Sequence, residues 1–137
     1  MKVMVDLNVL VDVLECRRPF LLPSAKLCDL VKGGRCEGYV AAHAITTLFY
    51  IIRKCVDKAA ADRALDWIFS TFNVAVADKT ILLSARTMNF VDFEDAVVAA
   101  SASAIGCDFI ATRNIGDYRN SPIKAVTPEE LLQVISR

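Results

Sequence analysis

The sequence predicts an α/β fold, a three-layer α/β/α sandwich with a central parallel sheet. Three observations point there. Short apolar runs alternate with segments of helical periodicity along the whole chain. Strands separated by helices within one domain require crossover connections, which make neighbouring strands parallel and leave helices on both faces. The 137 residues are 55% hydrophobic with only 5 Gly and 4 Pro, which suits one core spanning residues 1–137 and would starve two.

Residues 2–6 are an apolar run ending in an acid, and 9–14 continue apolar at helical spacing, so a strand feeds a helix. Over 24–32, Ala25, Leu27, Leu30 and Val31 predict a second helix that Gly33-Gly34 stops. Residues 39–42 suit a second strand, and 44–55, apolar on most faces, a largely buried helix. Asp57 is placed to cap the next helix, which reaches Phe69 and carries Trp67 as core or partner surface. A third strand is expected over 72–76 and a helix over 78–88, with Ile81, Leu82 and Ala85 on one side. Residues 93–105 combine helix formers with small side chains, stop at Gly106 and lead into a strand over 108–112. A last strand at 123–126 precedes Thr127-Pro128-Glu129-Glu130, which supplies a capping Thr, Pro at the first helical position and Glu three residues after the cap.

Composition excludes several classes of function. Sixteen basic residues balance sixteen acidic ones, so no global field draws the chain to polyanions and any phosphate binding must be local. The most apolar stretch, 96–107, is too short to span a bilayer and is broken by Ser101 and Ser103, so no membrane partner is expected. Asp6, Asn8 and Asp12 interrupt the apolar start where a signal peptide needs continuity, which points to a cytoplasmic protein. The 5 cysteines contain no Cys-x-x-Cys pair and are expected to be buried thiols rather than bridges or zinc ligands. No glycine-rich phosphate loop and no Gly-x-Ser-x-Gly elbow occurs, and the one histidine, His43, reads as a helix-start or packing residue.

In parallel sheets ligands bind beyond the carboxyl ends of the strands, which selects Asp6, Asn8, Thr112, Arg113 and Asn114. Asp6 or Asn8 alone could simply cap the following helix. Likewise Asp92, Glu94 and Asp95 suit the positive end of a helix dipole. Asp92 and Asp95, three apart, share a helical face, whereas Glu94 is expected to point elsewhere. The functional reading comes from convergence: the end of the strand before Thr112 delivers Asp117 to the same edge as Asp6, and Asp95 meets them there. Gathered carboxylates repel unless a cation neutralises them. Hard oxygen donors without His or Cys favour Mg²⁺ or Mn²⁺, and such ions serve phosphoester hydrolysis. A phosphotransfer enzyme that places a second Asp two residues after the first is disfavoured, because that position is Asn8.

Three segments carry a resemblance to a known family: residues 1–10, Asp92-Phe93-Glu94-Asp95-Ala96, and Ala111-Thr112-Arg113-Asn114 followed by Asp117-Tyr118. In this order and spacing they resemble the PIN-domain metal-dependent ribonucleases, especially the VapC-like toxins of toxin–antitoxin modules. The resemblance implies Asp6 as principal metal ligand, Asp95 as its partner, Asp117 as a further catalytic acid, and Asn8 and Thr112 as polar supports, with Mg²⁺ or Mn²⁺ as cofactor. It also implies RNA cleavage leaving a 5′-phosphate, a small antitoxin that blocks the pocket, and a homodimer. Two places depart from the family pattern. Asn114 stands where the fourth acid usually follows the Thr, with Asp117 as substitute, and residues 43–55 contain no acid where one is expected near 46–48. A degenerate relative that binds RNA or protein without cutting is the alternative. Arg17, Arg18, Arg53, Lys54, Arg113 and Arg119 are candidates for local positive charge.

Overall fold

Lys2–Val5 (β1) forms a central strand because Val3, Met4 and Val5 are apolar on both faces and all three are buried. The structure is a computed structural model and describes residues 1–136. Leu7–Leu14 (α1) and Leu21–Lys32 (α2) lead to Glu37–Ala41 (β2); Ala42–Cys55 (α3) and Lys58–Thr71 (α4) lead to Asn73–Ala75 (β3). Lys79–Arg86 (α5) and Phe93–Ile105 (α6) then return the chain to Phe109–Ala111 (β4), and a 3₁₀ turn over Ile115–Tyr118 precedes Lys124–Val126 (β5) and Pro128–Ile135 (α7).

All pairings are parallel, in the order β3-β2-β1-β4-β5. Met4 lies opposite Tyr39 on one side and Ile110 on the other. The chain steps outward from β1 to β2 and β3, then crosses back to β4 and β5. Right-handed crossovers in opposite directions put α1 to α4 on one face and α5 with α6 on the other. Packing agrees: α2 touches α1, α4 and α7, while α6 lies across β1, β3 and β4 with α5 against it. The gap between the carboxyl ends of β1 and β4 is therefore the topological switch point.

Helix α6 is buried all round, from Ala96 to Ala102, because it lies between the sheet and α5. Its small side chains allow that close approach, and Ala85, Ala96, Val97 and Ala100 form a separate small core there. Gly106 ends α6 at φ 79°, a left-handed backbone that costs glycine nothing. On the other face, a Cβ at Gly38 would lie 2.6 Å from Val31 Cγ1, so glycine is what lets α2 sit against β2.

The parallel α/β/α sandwich is as expected, and the differences lie at element ends. α1 starts at Leu7 rather than residue 9, since Asp6 caps it and Asn8 hides the periodicity. α2 starts at Leu21, with Pro23 in the first turn, where a missing N–H costs nothing. The Thr127 capping box is present. The cysteine expectation needs correcting: all five are free, and Cys28, Cys36 and Cys107 are buried, but Cys16 and Cys55 are exposed. Cys16 lies just past α1 and Cys55 is the last residue of α3, placements that spacing alone does not reveal. Trp67 packs edge-on against Phe72 with ring centres 5.8 Å apart, whereas Phe69 is exposed. Among the described residues no helix is long and apolar enough to cross a membrane.

Candidate active site

β1 ends at Val5, and the next residue, Asp6, is held at the switch point by its own N–H, which donates to the Ala111 carbonyl of β4 at 2.9 Å. Its side chain does two things. Oδ1 accepts from the Leu7 N–H at 2.8 Å, starting α1, and Oδ2 accepts from Thr112 Oγ1 at 2.9 Å. Thr112 follows β4 directly and is fully buried. Its hydroxyl also accepts from Asn8 Nδ2 at 3.2 Å and from the Asn114 N–H at 3.1 Å. Asn8 closes the network: Nδ2 lies 3.4 Å from Asp6 Oδ2, and Oδ1 accepts from the Arg113 N–H at 3.3 Å. Rotating the Asp6 side chain therefore breaks its bonds to the start of α1 and to the residue that follows β4.

Asp92 caps α6, its Oδ1 accepting from the N–H groups of Glu94 at 2.8 Å and Asp95 at 3.3 Å. That cap fixes the first turn and presents Asp95 to the sheet edge. The buried Tyr118, in the 3₁₀ turn after β4, donates from its hydroxyl to Asp95 Oδ1 at 3.3 Å. Phe90 packs edge-on against the same ring at 5.8 Å.

The electrostatics record the convergence. Burial pushes the Asp95 carboxyl up to about 6, and the charges of Asp6, Asp92 and Asp117 push in the same direction. Asp6 is also raised, by burial above all, against the hydrogen bonds from Thr112, Leu7 and Tyr118 that favour its charged form. The Tyr118 phenol is pushed up by burial and by the two adjoining carboxylates, Asp6 and Asp95, so it stays a neutral donor.

The sequence-selected residues do not all gather. Asp6 and Asp95 line one small cavity of about 60 Å³. Asp92, Asp95 and Asp117 line an adjoining cleft together with Arg119. Among the described residues, no group of three or more His, Cys, Asp or Glu side chains is arranged to hold a metal ion. Arg113 turns away: Nε lies 2.7 Å from Oδ2 of the completely buried Asp12, and its guanidinium stacks 4.3 Å from the Phe20 ring centre. Its role in the structure is to anchor the loop after β4 to α1. Asn114 is exposed and contributes its N–H to Thr112 rather than a side chain to the carboxylates.

One expectation changes, that for Glu94, while His43 stands at a helix start as expected. Glu94 does not point elsewhere, since it lines the cavity of Asp6 and Asp95. Because Asp92 is the cap and not a helical residue, a helical-face count starting from it misplaces its neighbours. His43 lines that cavity too, from the first turn of α3, and its carbonyl accepts from the hydroxyls of Thr46 and Thr47. The only sequence signal for His43 was its position just past the carboxyl end of β2. Tyr118 was visible only as the partner of Asp117 in a motif.

The acidless stretch of α3 is filled otherwise: Leu48 is in the core and Thr46 bonds its own helix.

Comparison with known proteins agrees with this architecture. Ribonuclease VapC1 of Aquifex aeolicus is 28% identical over 137 residues, covering 96% of this chain and 94% of the relative. The crystal structure of DNA-bound VapBC from Salmonella typhimurium superposes with a TM-score of 0.75 at 15% identity, covering 93% of this chain and 98% of that one. VapC20 of Mycobacterium tuberculosis, a toxin that cleaves the sarcin-ricin loop, gives 0.72 at 13% identity over 92% of this chain and 99% of that one. The PIN domain family matches residues 2–116. Because that match takes in Asp6, Asp95 and Thr112, the segments that meet at the switch point, the chain is a member of the PIN-domain family.

Proposed function

We propose that this single PIN-like domain is a Mg²⁺- or Mn²⁺-dependent endoribonuclease of VapC type, the toxin of a toxin–antitoxin pair. The observation that carries the reading is that Asp6 and Asp95 line one cavity, where burial first, and then the charges of Asp6, Asp92 and Asp117, push the Asp95 carboxyl up to about 6. Such a cluster is tolerable when a cation shares it.

The donor set fits a hard divalent ion, because Asp6 and Asp95 offer only oxygen from one cavity, and Mg²⁺ commonly takes one or two carboxylates and keeps several waters. Asp6 and Asp95 would hold the ion, with Asp117 as a third acid. When bound, it would polarise a phosphodiester oxygen and activate water. The protein's own groups prepare that step. Thr112 and Asn8 fix the Asp6 carboxylate, Tyr118 and the Asp92 cap fix Asp95, and Arg119 in the cleft offers a positive charge to a phosphate. RNA is the proposed substrate, since one relative is named a ribonuclease and one neighbour of this architecture a sarcin-ricin loop cleaving toxin. A small antitoxin is the proposed partner, a homodimer the proposed assembly and the cytoplasm the proposed site of action.

The test is cleavage of single-stranded RNA by the purified chain with Mn²⁺. Cleavage is expected from the wild type and not from Asp6→Asn, and equal cleavage by both would remove the reading. A second reading, a non-catalytic PIN domain that binds RNA or protein, is favoured by the lack of an acid in α3. RNA binding with no cleavage under any divalent ion would select it.

A further inference from the structure

Beside the carboxylates, at the carboxyl ends of β2 and β3, lies a cavity of about 350 Å³. Val76, Leu82 and Phe93 on its lining are 71%, 39% and 49% exposed, so large apolar groups on its wall remain open to solvent. Its polar lining is confined to one side, where His43 and Glu94 stand, and both also line the cavity of Asp6 and Asp95. The two cavities are thus neighbours sharing a polar wall. The carboxylate site sits past β1 and the apolar one past β2 and β3, one or two strand spacings away, or about 5–10 Å.

We propose that this cavity is a nucleobase subsite, taking the base of the nucleotide whose phosphodiester lies at Asp6 and Asp95. The inference rests on the ribonuclease reading and deepens it. A base has apolar faces and a polar edge, which matches a pocket apolar on most sides and polar on one. Phe93 offers an aromatic face for stacking, the usual way single-stranded RNA bases are held. The shared wall supplies the edge contacts: an ionised Glu94 can only accept, and His43 can donate from one ring nitrogen and accept at the other. An acceptor carboxylate selects bases that present an amino group, namely adenine, cytosine and guanine, over uracil. A peptide segment is the competing occupant. The short span to the carboxylates and the polar wall common to both cavities favour the base, because one nucleotide bridges them covalently.

Cleavage of four RNAs differing only in the base beside the scissile bond tests this, for wild type, Phe93→Ala, Glu94→Gln and, as a control outside the lining, Leu83→Ala. Thermal unfolding of each checks folding, and Glu94→Gln keeps shape if Phe93→Ala fails to fold. The expected result is a rise of about tenfold in KM for Phe93→Ala. For Glu94→Gln, the preference for amino-bearing bases over uracil narrows about fivefold. Unchanged base preference and KM in both variants, with RNA still cut, overturns the subsite and leaves the ribonuclease reading standing. Cytidine and uridine, titrated without metal and followed through the amide signals of His43, Phe93 and Glu94, separate the other case. Perturbation by cytidine with no RNA cleavage supports the pocket while the nuclease reading fails, and no perturbation by either nucleoside overturns it.

Discussion

Replacing Thr112 by Val keeps side-chain volume and removes one hydroxyl that serves three partners. Asp6 Oδ2 loses its 2.9 Å bond, Asn8 Nδ2 its 3.2 Å acceptor, and the Asn114 N–H its 3.1 Å acceptor. The first is a bond to a carboxylate, worth about 1.5–3 kcal/mol, and the other two are neutral bonds of about 1 kcal/mol each. Asn8 keeps a 3.4 Å contact to Asp6, and the exposed Asn114 can turn to water, so those losses are partly recovered. The expected loss is about 2–4 kcal/mol of unfolding free energy at pH 7, measured by urea denaturation with an unchanged m-value. Removing a bond that favours the charged form also drives the Asp6 carboxyl further up, which a pH series of the same measurement reads as a shifted transition. A loss below about 0.5 kcal/mol, the range of an ordinary surface substitution, would show that Thr112 does not hold Asp6.

Four further outcomes are expected. Asp95 is raised from 3.8 to about 6, so the folded state binds the proton more tightly than the unfolded one; in metal-free buffer stability falls as pH rises between about 4 and 6 and is flat above. After allowance for solvent screening that loss is about 1–2 kcal/mol, and Asp95→Asn should abolish it. Arg113→Met leaves the buried Asp12 without its 2.7 Å partner and should cost about 3 kcal/mol in urea, much of it restored by adding Asp12→Leu. Gly38→Ala places a Cβ 2.6 Å from Val31 Cγ1 and 2.9 Å from Phe72 Cδ1, and calorimetry should show a loss of about 1–3 kcal/mol. Asp92→Ala removes the cap of α6, with about 1 kcal/mol of stability and a weaker hold on Asp95 as the measurable results.

The layer order was legible because each strand-helix alternation is written in local periodicity, and because Gly106 and Thr127-Pro128 mark helix ends by chemistry that needs no tertiary context. Asp6 and Thr112 could be selected for a similar reason: parallel topology alone dictates which strand ends face a common crevice, whereas Asp95, at a helix start, stood out only as part of an acidic cluster and of a family motif. What stayed hidden depends on contacts between distant residues. Arg113 could not be seen to turn towards Asp12, because that choice is made by the fully buried carboxylate of α1 and the ring of Phe20. Glu94 was misplaced by one assumption, that Asp92 is helical, whereas its extended backbone makes it the cap. His43 gave no motif at all, and only the cavity that it shares with Asp6 and Asp95 reveals its place.

In the proposed function Asp6 and Asp95, from distant parts of the chain, share one cation. Calorimetric titration of the metal-free protein with Mn²⁺ at pH 7 measures it without any RNA. One saturable site is expected for the wild type, with a large loss of affinity in Asp6→Asn and in Asp95→Asn. Equal binding by all three proteins, or no binding by the folded wild type, would contradict it.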